Sequence, residues 1–125
     1  MEFFWIGIGG FLGANARYFL GHAITQRLGT LFPYGTLIVN LTGAFLIGVI
    51  FTVLTDRVVD DRFWRHLVVT GFLGGYTTFS SYTYEAIRLM QEGRWSTTLL
   101  YVVGSNILGL LACFAGVWVT KAISA

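Results

Sequence analysis

GGYTTFSSYTYE, residues 74–85, carries a hydroxyl at every position from Thr77 to Tyr84 except Phe79 and closes on the carboxylate of Glu85. Gly74 and Gly75 weaken helix propensity, and β-branched Thr77 and Thr78 follow directly, so the stretch predicts a helix that breaks and then resumes. It lies inside an uncharged run, residues 67–84, in a chain that is apolar almost throughout. Irregular backbone at membrane depth is tolerated only where it is buried in protein or lines a cavity. The break is therefore expected to face a partner subunit or a pathway.

The 125 residues are 55% hydrophobic and 11% charged, with a mean hydropathy of +0.70, against a soluble average of roughly 25% charged. This reads as an integral membrane protein. Uncharged runs cover 3–16, 28–55, 67–84 and 95–120, and a bilayer span needs about 20 apolar residues. Four transmembrane helices are predicted near 3–20, 35–54, 63–89 and 96–119, joined at 21–34, 55–62 and 90–95, as one transmembrane domain over residues 1–125. The first is read as a retained helix rather than a signal peptide, because Glu2 stands where a basic n-region would be and Arg17 where a cleavage site would be. Cys113 is the single cysteine, so no internal disulfide is possible. The net charge of +2 is too small and scattered to suggest nucleic acid.

The basic residues set orientation through the positive-inside rule. With four spans, Arg57, Arg62, Arg65 and Lys121 fall on one side and Arg17, Arg27, Arg88 and Arg94 on the other, 4 against 4; leaving out an intramembrane Arg17 gives 4 against 3. Without a bias, neither insertion is preferred, which predicts dual topology. Four short helices also enclose little volume, which predicts an antiparallel homodimer with its dyad in the membrane plane. The fold class expected is thus an all-α membrane protein of four transmembrane helices, the third broken mid-membrane, in an antiparallel dual-topology homodimer.

Within the spans, the polar side chains are the candidate functional groups. Arg17 either snorkels to the interface or faces a water-filled vestibule. Asn40 either bonds a neighbouring helix or donates its amide protons to a dehydrated anion, carrying no countercharge to trap it. Past the break, the new helix N-terminus brings unpaired N–H groups and a positive dipole end into the membrane. Phe79 and Tyr82, three apart, share a face and can offer positive ring edges to a small anion, with Ser80, Ser81 and Tyr84 as hydroxyl donors around them. Ordinary packing and back-bonding of hydroxyls to the helix are the alternatives, but seven hydroxyls in eight positions favour a polar pathway. Freed carbonyls at the break can coordinate a cation. Glu85 either pairs with Arg88 at the interface or belongs to the site. Tyr101, Ser105 and Gly109 recur every four residues along one face of the last span, with Asn106 beside them, as either a continued hydroxyl track or small and polar residues at a helix interface. There is no nucleotide-binding loop, metal-ligand cluster or activated nucleophile, so neither an enzyme nor an ATP-driven pump is expected.

GGFLGANARY in the first span, GTLIVNLTGAFLIG in the second and TGFLGGYTTFSSYTYE in the third resemble the signatures of the Fluc (CrcB) family of bacterial fluoride channels, over essentially the whole chain. The resemblance implies a multi-pass protein of the bacterial inner or plasma membrane, a dual-topology homodimer with two fluoride pathways, and a structural sodium ion at the dyad held by backbone carbonyls, here those of Gly74 and Thr77. It maps the pore asparagine to Asn40, the first pore phenylalanine to Phe79, the following hydroxyl pair to Ser80 and Ser81, the fourth-helix tyrosine to Tyr101, and the first-helix arginine and the acid after the motif to Arg17 and Glu85. Tyr82 departs from the pattern, standing where family members commonly carry a second phenylalanine. The function expected is passive, selective export of cytoplasmic fluoride. The alternative is a proton-coupled small multidrug antiporter, which wants a carboxylate deep in a span; a small assembly subunit would leave the hydroxyl run unexplained.

Overall fold

The computed structural model describes residues 1–57 and 61–124, with the side chain of Arg57 and the middle of the expected 55–62 connection outside the described residues. In chain order it holds α1 (Glu2–Leu28), α2 (Tyr34–Arg57), a short turn α3 (Arg62–Trp64), a π-helical segment (Arg65–Leu73), α4 (Gly74–Tyr76), α5 (Phe79–Gln91) and α6 (Trp95–Ser124). All regular structure among the described residues is helical. Two helices, at Tyr34–Asp56 and Trp95–Ser124, are long and apolar enough to cross a membrane.

Helix ends follow local chemistry. α1 runs well past the residue-20 limit expected from the sequence, because no breaker occurs before Gly29. That glycine takes φ 83°, and its N–H closes the helix on Thr25 O, a conformation glycine adopts without a Cβ penalty. Gly93, φ 77°, turns the chain from α5 into α6, with Gly93 N–H on Met90 O and Arg94 N–H on Leu89 O, each at 3.0 Å.

The helices approach through glycine. A Cβ on Gly9 would lie 2.0 Å from Leu67 O, one on Gly13 2.0 Å from Phe72 O, and one on Gly116 2.2 Å from Phe45 O. These contacts bring α1 against the π-helical segment and α6 against α2 at backbone distance, as small-residue faces permit. Two buried clusters result, Val39, Leu73 and Tyr76 on one side and Ala86, Leu89 and Tyr101 on the other.

The third span differs from expectation in two ways. Its first half is π-helical over nine residues, Arg65–Leu73, which composition does not signal. The break also falls later than the glycines. Gly74 is helical (φ −61°, ψ −37°), whereas Thr77 (φ −87°, ψ 154°) and Thr78 (φ −145°, ψ 112°) are extended. Gly75 serves close approach, since a Cβ there would meet Gly10 O at 2.8 Å. The two β-branched threonines, which suit extended backbone, are where the chain leaves the helix.

Candidate functional site

The extended residues Thr77 and Thr78 leave backbone groups without ladder partners, and side chains from α1, α2 and Thr78 itself take up several groups at the break. Asn40 on α2 brackets Thr78: its Nδ2 donates to Thr78 O at 3.1 Å, and Thr78 N–H donates to its Oδ1 at 2.9 Å. One N–H of the Asn40 amide is left over for another acceptor. Arg17 Nε donates to Gly75 O at 3.0 Å, so the guanidinium turns toward the break. The Thr78 hydroxyl caps α5 by accepting from Ser81 N–H at 3.1 Å, the arrangement expected of a threonine N-cap.

This bonding diverts two donors that would otherwise satisfy carbonyls one turn back. Thr78 N–H, the i+4 donor for Gly74 O, goes to Asn40; Ser81 N–H, the i+4 donor for Thr77 O, goes to the Thr78 hydroxyl. Gly74 and Thr77, with Asn40, line a cavity of about 360 Å³ between α2 and the break. Among the described residues no group of three or more His, Cys, Asp or Glu could hold a metal; unwound backbone can instead offer carbonyl oxygens to a cation. The two diverted carbonyls fit that chemistry for a hard monovalent ion.

The structure gathers the other predicted residues into neighbouring sets. Arg17, Thr78 and Ser81 line a second cavity of about 240 Å³, together with Tyr18 and His22. A third, sharing Gly21, Thr25, Gly35 and Thr36 with it, is lined by Glu85 and Arg88. Glu85 accepts from Tyr101 O–H at 3.1 Å, while Arg88 Nε lies 3.9 Å from Glu92 Oε2. Tyr101 is 1% exposed, and it lines a fourth cavity with Ser105, whose Oγ is buried without a hydrogen-bond partner. Ser80 Oγ is 3.4 Å from the Thr78 hydroxyl.

Phe79 and Tyr82 do share a face, with ring centroids 5.6 Å apart and planes at 45°. The next ring along is Tyr101, 5.3 Å from Tyr82. Phe79 is 76% exposed, so the described residues leave most of its ring uncovered, while Tyr82 is half-buried.

Sequence reasoning did not single out Tyr76, which is buried with its hydroxyl 2.9 Å from the Thr42 hydroxyl and so ties α4 to α2. Its place inside the break motif was the available signal.

Residues 4–117 match the family model described as CrcB-like protein, Camphor Resistance (CrcB). The chain is similar to the fluoride-specific ion channel FluC of Acidobacterium capsulatum, 47% identical over 125 residues and the full length of both chains. It is also similar to the proteins of that name from Solibacter usitatus, 47% identical over 94% of this chain and 93% of the relative, and Aquifex aeolicus, 42% identical over 90% and 91%. With the matching extending through both glycine-packed helices and the whole broken segment, this chain belongs to the CrcB family.

Proposed function

We propose that this protein is a fluoride-selective ion channel that lets cytoplasmic fluoride leave down its electrochemical gradient. The observation that carries the reading is the full-length, 47% identity to a fluoride-specific channel. As a channel it is not an enzyme. The antiporter alternative finds no support among these relatives.

Four helical spans near 3–20, 35–54, 63–89 and 96–119 form a single transmembrane domain in the bacterial inner membrane. Two copies associate as an antiparallel, dual-topology homodimer, in which the uncovered Phe79 face meets the partner. The anion path runs along Asn40, Phe79, Ser80, Ser81, Tyr82, Tyr101 and Ser105, with Arg17 and Glu85 at its vestibule. Supporting this are the free Asn40 N–H, the start of α5 at Phe79 with its unpaired N–H groups and positive dipole end, and the position of Arg17 on one cavity with Ser81. Fixed donors of this kind replace the hydration shell of a small anion. A sodium ion sits structurally at the dyad on Gly74 O and Thr77 O, in keeping with the diversion of both carbonyls' usual donors. Export needs no energy source besides the membrane potential, which contributes about 2.3 kcal/mol per charge per 100 mV.

Fluoride efflux from liposomes tests the reading with wild type, Asn40→Asp and Phe79→Ile. Wild type is expected to release fluoride and retain chloride. Asn40→Asp places a negative charge beside the path, and Phe79→Ile removes its ring edge; each should lower flux at least tenfold, the factor for roughly 1.4 kcal/mol. Equal chloride and fluoride rates would overturn selectivity, and full flux through both variants would overturn the pore assignment.

A further inference from the structure

The environment of the Tyr82 hydroxyl points to a function for Asn106, an amide in the apolar helix α6. Asn106 Nδ2 donates to Tyr82 O–H oxygen at 2.9 Å and to Val102 O at 2.8 Å, so both its N–H groups are committed. Among the described residues the phenol proton has only Val102 O to go to, at 3.4 Å. That carbonyl is already taken twice, by the Asn106 amide and by the Asn106 backbone N–H of the α-helical ladder, and a carbonyl oxygen has two lone pairs. The phenol proton is thus the third and most distant claimant. It is a donor held in place by its oxygen, with no good acceptor, on the ring next to Phe79.

We propose that Tyr82 is an anion-ligating hydroxyl of the pathway and that Asn106 is its positioning residue. This rests on the fluoride-channel reading and extends it to the residue at which the chain departs from its relatives' expected pattern. The Asn106 bond fixes the phenol oxygen and thereby the ring. Donation into that oxygen also polarises the O–H and strengthens it as a donor, as linked hydrogen bonds do. When a small, strongly hydrated anion reaches the Phe79 edge, the proton leaves its long contact with Val102 O and takes the anion, at little cost in bonds already made. The gain is greatest for the ion with the highest charge density, so the pair favours fluoride over chloride.

The test is fluoride efflux as a function of fluoride concentration in liposomes holding full-length wild type, Tyr82→Phe, Asn106→Leu and the double variant. Tyr82→Phe is expected to raise half-saturating fluoride about tenfold, in line with the loss of one hydrogen bond to a charged acceptor. Asn106→Leu should raise it about threefold in the wild-type background and leave it unchanged when Phe already occupies position 82, since coupled residues are non-additive. If Asn106→Leu does not fold, the isosteric Asn106→Asp replaces it: the carboxylate turns from donor to acceptor, captures the phenol proton and should match Tyr82→Phe. An unaltered half-saturation in Tyr82→Phe overturns the proposal, as does an Asn106 effect of the same size in both backgrounds. Wild type that passes no more fluoride than empty vesicles would instead defeat the channel reading itself.

Discussion

A single side chain, Asn40, substitutes for a missing stretch of backbone. By accepting from Thr78 N–H and donating to Thr78 O it satisfies both backbone polar groups of a residue that has left the helix, groups that would each cost about 1–3 kcal/mol if buried unpaired. The side effect is chemical, because the donors for Gly74 O and Thr77 O are drawn away at two residues that line a cavity. If sodium fills that place, the detergent-solubilised protein will melt at a higher temperature in sodium than in N-methylglucamine at equal ionic strength. A site-saturating hundredfold excess over the dissociation constant is worth about 2.7 kcal/mol, and identical melting temperatures in the two salts would remove the cation from the reading. The residue types at Asn40, Phe79 and Glu85 were legible because a polar or aromatic group in an apolar span demands a reason. Their partners were not, since the bonds Arg17 to Gly75, Asn40 to Thr78 and Asn106 to Tyr82 join residues 58, 38 and 24 apart.

At the scale of elements, the third span shows what glycine in a sequence leaves ambiguous. Gly74 and Gly75 announce a break correctly, yet Gly74 stays helical and the extended residues are Thr77 and Thr78. The sequence could not separate a glycine needed for its dihedrals from one needed for space, because the second need resides in α1, at Gly10. The π-helical segment was illegible for the same reason: its carbonyls lie against the α1 glycines, a tertiary contact without a local signature. Gly13→Ala sets this packing a direct trial. Its Cβ would fall 2.0 Å from Phe72 O and 3.0 Å from Tyr76 N, backbone atoms that cannot rotate aside, and overpacking of this kind costs about 1–3 kcal/mol or more. Gly7→Ala meets nothing within 4 Å on its own chain and serves as the control. Thermal unfolding in detergent should show a marked loss for Gly13→Ala and little change for Gly7→Ala; equal melting temperatures would mean that α1 and the π-helical segment do not approach this closely.

For the whole molecule, the distribution of charge and of apolar surface bears on assembly. Phe11, Phe79, Leu110 and Phe114 are all largely exposed, and among the described residues none covers most of the Phe79 ring. If four spans divide the basic residues evenly between two sides, as proposed, insertion has no preferred direction, and a chain inserted both ways could meet its inverted copy. Thr30, between α1 and α2, and Ser124, at the end of α6, are exposed and, with four spans, lie on opposite sides of the bilayer. In a Cys113→Ser background, Thr30→Cys and Ser124→Cys should therefore each be labelled to about half by a membrane-impermeant maleimide applied to the outer face, because orientation follows the basic-residue bias and there is almost none. Full labelling of one position with none of the other would establish a single orientation. Any homodimer would then have to be parallel, and Phe79 and Gly74 could not meet their copies across a dyad lying in the membrane plane.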